Sequence, residues 1–144
     1  MKKVELKADA PVVLIVDDDT DASRAVVRLL QRHQYQLITA ASGVEALDIL
    51  AKRTVDVLVL DVMMPGMTGL DVCERLRSMR RFADLPVILL TGCDDFETRR
   101  AGMRLGVSEF LCKPFPHHDL IDRIEAQLRV RNLSKALDSV DGTL

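Results

Sequence analysis

Short apolar runs alternate with helical patterns along most of this chain, and that alternation constrains the fold more than any other feature. Five runs are typical of buried strands: residues 12–16, 35–40, 55–60, 86–90 and 109–112. Between and after them, apolar residues recur at the spacings of three and four that are typical of amphipathic helices. Strands that alternate with helices predict a parallel sheet with helices on both faces. We therefore predict an α/β fold with a doubly wound, five-stranded parallel sheet.

The size and composition indicate one small folded domain. The chain has 144 residues, of which 48% are hydrophobic, enough for one core but not comfortably for two. The formal net charge is −2, which gives no reason to expect binding to nucleic acid or to an anionic membrane. The apolar run at residues 12–16 is too short to cross a bilayer and too short for a typical signal peptide. We expect a cytoplasmic protein.

The pattern divides the chain into three parts. Residues 1–10 are polar and are expected to form an N-terminal arm, residues 11–130 carry the alternating pattern, and residues 131–144 are expected to form a helical extension and tail. The last helix carries two apolar stripes. The first is expected to face the sheet and comprises Leu120, Ile121, Ile124 and Leu128. The second has the spacing of a coiled-coil seam and comprises Val130, Leu133, Leu137 and Val140. It predicts a homodimer through this helix, the alternative being a frayed amphipathic end.

The three cysteines, Cys73, Cys93 and Cys112, are odd in number, and no two have a C-x-x-C spacing. This pattern argues against a disulfide framework and against a structural zinc site. We expect all three to be small, reduced core residues.

Polar residues follow four of the predicted strands at the point where each strand ends. They are Asp17, Asp18, Asp61, Thr91 and Lys113. Each alone has an ordinary explanation, as a helix cap, a turn residue or a solvated lysine. Because the carboxyl ends of parallel strands meet at one edge of the sheet, where ligands bind, we expect the five to lie together. Their joint placement predicts a functional site.

The residue types at this edge favour phosphoryl transfer. Carboxylates that converge in a partly dry cleft repel one another, and a divalent cation removes that repulsion. Ligands that are all oxygen select a hard ion, and Mg²⁺ suits a few carboxylates together with water and a phosphoryl oxygen. One carboxylate can then act as a nucleophile and form an acyl phosphate. Lys113 offers a compact positive charge to the phosphoryl oxygens, and Thr91 offers a hydroxyl donor.

Four stretches resemble the receiver domains of two-component response regulators, the CheY-like family. They are VVLIVDDD, VDVLVLDVMMPGMTG, PVILLTG and EFLCKPF, which occur in the family's order within residues 11–130. The resemblance implies the flavodoxin-like receiver fold with strand order 2-1-3-4-5, in which the first strand lies beside the third.

The resemblance implies a role for each acidic residue. Asp61 is implied as the phospho-acceptor. Asp18 and Asp61 are implied as the carboxylate ligands of Mg²⁺, with the backbone carbonyl of Met63 as the third protein ligand. Asp17 is implied as an auxiliary acid that holds metal-bound water.

The resemblance also implies how the phosphoryl group is held and sensed. Lys113 is implied to pair with the phosphoryl group, and the Lys113–Pro114 peptide bond is implied to be cis. Thr91 and Phe110 resemble a switch pair, in which the hydroxyl moves toward the phosphoryl group and the aromatic ring turns inward.

Taken as a whole, the resemblance implies a signalling domain and not an enzyme with turnover, because it catalyses only its own phosphorylation and dephosphorylation. The phosphoryl group is expected to come from a sensor histidine kinase or a histidine phosphotransfer protein. The switched surface is expected to bind a downstream protein or to act on a C-terminal output domain beyond this sequence.

The chain departs from the family pattern at a few positions. Phe110 stands where many members have tyrosine, and Gly92 replaces the more usual alanine. Asp19 is an additional acid, which we expect to be a solvated helix cap. Met63 and Cys93, each two residues past a site residue, are expected to flank the entrance, where we hypothesise that they limit the approach of hydrolytic water.

Two other functions are compatible with parts of the pattern. The spacing Asp17-x-Asp19 after a strand resembles the nucleophile and acid of a haloacid-dehalogenase-type phosphatase. Against it, Asp21 stands where that motif prefers threonine or valine, and Asp61 is left unexplained. The other alternative is a binding module on the same fold that is not phosphorylated; it would be favoured if an acidic or lysine position were missing, and none is.

Overall fold

The computed structural model describes residues 8–92, 94–107 and 109–142, with side chains described as far as Leu137. The strands are β1 (Val12–Val16), β2 (Gln36–Ala40), β3 (Val57–Asp61), β4 (Val87–Gly92) and β5 (Glu109–Lys113). The helices are α1 (Thr20–Leu30), α2 (Gly43–Lys52), α3 (Gly69–Arg77), α4 (Phe96–Arg104) and α5 (His117–Gly142). A short 3-10 turn at Arg80–Phe82 follows α3 and was not predicted. The predicted alternation of strands and helices is confirmed.

The five strands form one parallel sheet in the order β2-β1-β3-β4-β5. This order confirms the predicted doubly wound topology and places β1 beside β3. The two strands are in register with Val16 opposite Leu60, so the residues that follow them emerge side by side. The central strands β1 and β3 are buried along their whole length, whereas the edge strands β2 and β5 are half-exposed. The buried strands therefore have the continuous apolar pattern and the edge strands the weaker one.

Alternate residues of each central strand enter two separate cores. Val12, Leu14 and Val16 pack with α2 and α3 on one face of the sheet, which we call the first core. Val13 and Ile15 pack with α1 and α5 on the other face, which we call the second core. The α5 residues of the second core are the predicted ones, with Leu120, Ile124 and Leu128 buried and Ile121 half-buried. The sheet is thus held rigidly from both sides.

Side chains cap the first turns of α1 and α2. Asp19 is exposed and accepts hydrogen bonds from the backbone N–H groups of Asp21 and Ala22, which confirms it as the cap of α1. Ser42 caps α2 by accepting from the N–H of Glu45. The Glu45 carboxylate in turn accepts from the N–H of Ala41 at 3.0 Å, one residue before the cap.

The cysteines correct one expectation. Cys73 is free and fully buried in the first core, and burial raises the pKa of its thiol to about 11. Cys112, in contrast, is disulfide-bonded, so the expectation of a reduced thiol is wrong for this residue. Sequence spacing alone does not report which thiols a fold brings within bonding distance. Cys93 lies outside the described residues.

None of the helices in the described ranges is both long enough and apolar enough to span a lipid bilayer.

The Arg77 guanidinium joins the end of α3 to two later segments. Its Nε donates to the Leu105 carbonyl at 2.8 Å, and its Nη2 donates to the Gly106 carbonyl at 3.1 Å. Its Nη1 donates to the carbonyls of Phe82 and Ala83 at 2.8 and 3.2 Å. One planar cation therefore satisfies four carbonyls, including those at the C-terminal end of α4, where positive charge is favoured.

We predict that Arg77→Lys lowers the free energy of unfolding by about 1–3 kcal/mol, because an ammonium keeps the charge but cannot reproduce the planar fork. Urea denaturation measures this loss. The matched control is Arg75→Lys on the exposed side of the same helix, which should change stability by less than about 0.5 kcal/mol. Equal losses for the two variants would contradict the role given to Arg77.

Candidate functional site

Three carboxylates meet at the carboxyl edge of the sheet. Asp17 and Asp18 directly follow β1, and Asp61 is the last residue of the neighbouring strand β3. Carboxylate oxygens of the three residues all lie within 4.8 Å of one another. The structure therefore brings together the three acidic residues that the sequence placed at this edge.

The three carboxylates differ in their exposure to water. Asp17 and Asp61 are buried, with 4% and 6% of their surface exposed, whereas Asp18 is exposed. Burial is the main cause that raises the pKa of Asp61 above its ordinary value; the Lys113 ammonium opposes the rise, and the Asp17 charge adds to it. Asp61 is thus a carboxylate whose negative charge is only partly compensated by its surroundings.

Lys113 brings positive charge to the cluster from the other side. It ends β5, and because β4 lies between β5 and β3, its side chain reaches across the end of β4. Its Nζ lies 3.2 Å from Asp17 Oδ2 and 3.6 Å from Asp61 Oδ2. The peptide bond between Lys113 and Pro114 is cis. One ammonium leaves two of the three negative charges uncompensated.

The donor set of the cluster fits a hard divalent cation. All the clustered ligand atoms are carboxylate oxygens, and the exposed Asp18 leaves the cluster open to solvent on one side. Mg²⁺ binds through one or two carboxylates, retains water and accepts a phosphoryl oxygen. The residues present therefore fit Mg²⁺ in both charge and ligand type.

Thr91 lies one residue before the end of β4 and is buried. Among the described residues, its Oγ1 has no hydrogen-bond partner. A buried hydroxyl without a partner costs about 1–3 kcal/mol, so this group favours an incoming acceptor. Phe110 lies on β5 opposite Leu89 and packs against the first core. Thr91 follows Leu89 by two residues and therefore has its side chain on the same face of the sheet.

The loops after β1 and β3 orient the carboxylates through their backbone N–H groups. The N–H of Met63 donates to Asp61 Oδ1 at 3.3 Å, and the N–H of Asp19 donates to Asp17 Oδ1 at 2.9 Å. The Met63 side chain is exposed beside the cluster. Cys93, which was expected on the opposite side of the entrance, lies outside the described residues.

Gly69 also contributes to the site, although the sequence pattern indicated no role for it. It begins α3, directly after the capping residue Thr68. A Cβ atom at Gly69 would lie 2.6 Å from the carbonyl oxygen of Asp61 and 2.8 Å from the Cα of Val62. The start of α3 therefore packs directly against the backbone of Asp61. A glycine inside the first turn of a capped helix is the signal that could have indicated this close contact.

Comparison with known families and proteins is consistent with this geometry. Residues 13–125 match the family model of the response regulator receiver domain. The chain is 41% identical over 127 residues to the response regulator MprA of Mycobacterium sp. strain KMS, an alignment that covers 88% of this chain and 54% of MprA. The chain thus spans about half the length of the curated relatives that it matches.

Two solved structures have the same fold. The chemotaxis protein CheY4 of Vibrio cholerae matches with a TM-score of 0.78 and 33% identity, over 83% of this chain and 99% of that one. A structure described as adenylate cyclase from Rhodopirellula baltica matches with a TM-score of 0.85 and 28% identity, over 94% of this chain and 99% of that one.

We predict that Gly69→Ala lowers the free energy of unfolding by about 1–3 kcal/mol, because the added methyl group overlaps backbone atoms that cannot rotate away. The control is Gly92→Ala, where a Cβ would meet no atom within 4 Å in the described part of the chain and φ is not positive. That variant should be neutral or more stable by up to about 1 kcal/mol. Urea denaturation compares the two, and equal stability would refute the close approach at Asp61.

Proposed function

This chain belongs to the response regulator receiver domain family, and from that membership we propose that it is switched by phosphorylation of Asp61 with Mg²⁺. The observation that carries the proposal is the cluster itself: a buried carboxylate at the end of the central strand, with two more carboxylates on one side and a lysine on the other. The domain acts as a phospho-acceptor, and its only catalysis is its own phosphorylation and dephosphorylation.

Asp61 is favoured as the acceptor because the other groups converge on it from both neighbouring strands. On the β1 side, Asp17 is held by the Asp19 N–H and by Lys113, and Asp18 is exposed. On the β4 side, Thr91 offers a buried hydroxyl without a partner among the described residues. A phosphoryl group on Asp61 would therefore have a donor on one side and acidic groups for a cation on the other.

The transfer step exchanges one bond to phosphorus for another. An oxygen of Asp61 forms a bond to phosphorus while the phosphorus–nitrogen bond of a phosphohistidine breaks, and the imidazole leaves with the electron pair and takes a proton from solvent. Lys113 pairs with one phosphoryl oxygen, and the Thr91 hydroxyl donates a hydrogen bond to another.

The residues that would hold Mg²⁺ are Asp18, Asp61 and the backbone carbonyl of Met63, with Asp17 acting through water. When bound, the ion neutralises charge on the transferring phosphoryl group. Asp17 is kept in place by its two contacts, to the Asp19 N–H and to Lys113 Nζ.

The alternative phosphatase mechanism would need Asp19 as its acid, and the structure gives Asp19 another role. The exposed carboxylate of Asp19 is occupied as the cap of α1, where it accepts from the N–H groups of Asp21 and Ala22 at 3.0 and 3.2 Å. Asp19 is also outside the cluster formed by Asp17, Asp18 and Asp61. A general acid would have to face that cluster, so the haloacid-dehalogenase-type mechanism is not supported.

The proposed partners follow from the chemistry of the donor and from the length of the relatives. The donor is a sensor histidine kinase or a histidine phosphotransfer protein of the cytoplasm. Residues 11–130 form the receiver unit, and residues 131–144 extend it toward a downstream protein or an output domain. The apolar side chains of Met63 and Cys93 are proposed to slow hydrolysis of the acyl phosphate by limiting the approach of water.

The homodimer is proposed to form through the second stripe of α5. Val130, Leu133 and Leu137 are exposed on a helix that runs on to Gly142. The opposite side of the helix is anchored to its own domain, because Arg131 and Lys135 pair with Asp56 at 3.6 and 3.8 Å. These three side chains are therefore turned away from the domain, and the side chain of Val140 lies outside the described ones.

A second copy is the occupant that fits this stripe. Its spacing of three and four packs best against a helix with the same spacing, and Ser134 and Ala136 beside it are small enough for two helices to approach closely. The segment is basic at Arg129 and acidic at Asp141, so an antiparallel copy would complement its charge.

We predict a Mg²⁺-dependent mass gain of one phosphoryl group when the native chain is incubated with acetyl phosphate, and no gain for Asp61→Asn. Intact-protein mass spectrometry measures both. The matched control is Asp19→Asn, which keeps a good helix cap and should accept the phosphoryl group as the native chain does. A gain that persisted in Asp61→Asn would place the nucleophile elsewhere. No gain in the native chain under these conditions would favour the binding module.

We predict that Leu133→Glu with Leu137→Glu weakens self-association at least about tenfold, because buried carboxylates would replace the apolar seam. Sedimentation equilibrium over a range of concentrations measures the dissociation constant. The control is Val44→Glu on α2, whose side chain is 65% exposed, against 66% for Leu133. A native chain that stays monomeric, or an equal effect of Val44→Glu, would exclude this interface.

A further inference from the structure

Gly102 leaves a space in α4 that the Phe110 ring occupies. A Cβ atom at Gly102 would lie 2.8 Å from Cε1 and 2.9 Å from Cζ of Phe110, and 3.1 Å from Cδ1 of Leu89. Such distances are shorter than ordinary carbon–carbon contacts, so a methyl group and the ring cannot both be there. The ring edge therefore lies against the bare backbone of the helix.

The backbone conformation of Gly102 gives no other reason for a glycine. It is a buried residue inside α4, and its φ is not positive. In a helix interior, glycine is less favourable than alanine by about 1 kcal/mol. The missing methyl group is thus better explained by packing against Phe110 than by local conformation.

The Phe110 ring lies in an inward position. Phe110 packs against the first core, and it lies opposite Leu89, which the same Cβ would also contact. Thr91 has its side chain on this face of the sheet, and its buried Oγ1 lacks a partner among the described residues. In this one conformation, the Phe110 ring therefore lies inward while the Thr91 hydroxyl has no hydrogen-bond partner among the described residues.

We propose that Gly102 is a positioning residue, whose missing side chain gives the Phe110 ring the room to lie inward. An outward ring would expose apolar surface, and phenylalanine has no hydroxyl to gain a hydrogen bond there. In the switch that the family resemblance implies, the inward ring accompanies phosphorylation, so a residue that favours the inward ring also favours the phosphorylated form. The inference rests on that switch at Thr91 and Phe110, and it assigns to Gly102 the room that the inward ring needs.

The test compares the native chain with Gly102→Ala. We expect the added methyl group to displace the ring, so that the NMR signals of the Phe110 ring move toward those of an exposed phenylalanine. Because the added methyl group lowers the population of the inward-ring conformation that is proposed to accept the phosphoryl group, the initial rate of phosphorylation by acetyl phosphate should fall about three- to tenfold. Mg²⁺ affinity should stay unchanged, because Gly102 contacts none of the carboxylates.

The matched control is Gly43→Ala on α2. A Cβ at Gly43 would lie 2.8 Å from Val72 Cγ2 and 2.9 Å from Met67 Cγ, so it introduces a comparable overlap with side chains other than Phe110. It should lower stability without moving the ring signals or the phosphorylation rate. A second control is a double-mutant cycle with Phe110→Leu. In a chain that already carries Phe110→Leu, Gly102→Ala should change the rate of phosphorylation by less than about twofold.

Three results would overturn the proposal: unchanged ring signals and rate in a folded Gly102→Ala, an equal rate loss in Gly43→Ala, or a rate loss that persists beside Phe110→Leu.

If Gly102→Ala does not fold, nuclear Overhauser contacts between the Gly102 α-protons and the Phe110 ring are measured in the native chain instead. Their absence would refute the proposal. Failure of Asp61 phosphorylation would refute the proposed function, while these NMR measurements would still test the position of the ring.

Discussion

The crowding of three carboxylates at one edge of a buried sheet is the constraint on which the rest of the site depends. Asp17, Asp18 and Asp61 hold oxygens within 4.8 Å of one another, and Lys113 compensates only one of the charges. Such a cluster is unfavourable unless a cation binds it, and it becomes useful when that cation also binds a phosphoryl oxygen. The rigid packing of β1 and β3 between two cores keeps the carboxylates together despite their repulsion.

The proposed switch would act on the β4–β5 side of the site. Thr91 and Phe110 lie on the face of the sheet that carries the first core; the Thr91 hydroxyl has no partner among the described residues, and the Phe110 ring lies against Gly102. A change of charge at Asp61 is proposed to act on these two groups. On the other face of the sheet, α5 is fixed to the domain by the pairing of Arg131 and Lys135 with Asp56, and its exposed stripe is the surface proposed to bind a second copy.

Patterns that are local in sequence were sufficient for the fold and for the identity of the clustered residues. Continuous apolar runs indicated buried strands, and spacings of three and four indicated helices, because the periodicity of each element is set by its own backbone. The placement of Asp17, Asp61 and Lys113 after strands indicated one edge, since all strands of a parallel sheet end on the same side. The strand order came from the resemblance, and the structure confirms it.

Contacts between residues that are distant in sequence were decided only by the tertiary structure. No periodicity indicates that a Cβ at Gly69 would meet the backbone of Asp61, or that one at Gly102 would meet Phe110. The hydrogen bonds from Arg77 to the Leu105 and Gly106 carbonyls and the disulfide of Cys112 are further contacts that no periodicity indicates. The physical reason is that close packing depends on how completed elements meet in space. The sequence by itself determined the elements and the chemical groups, and the tertiary structure decided which atoms touch.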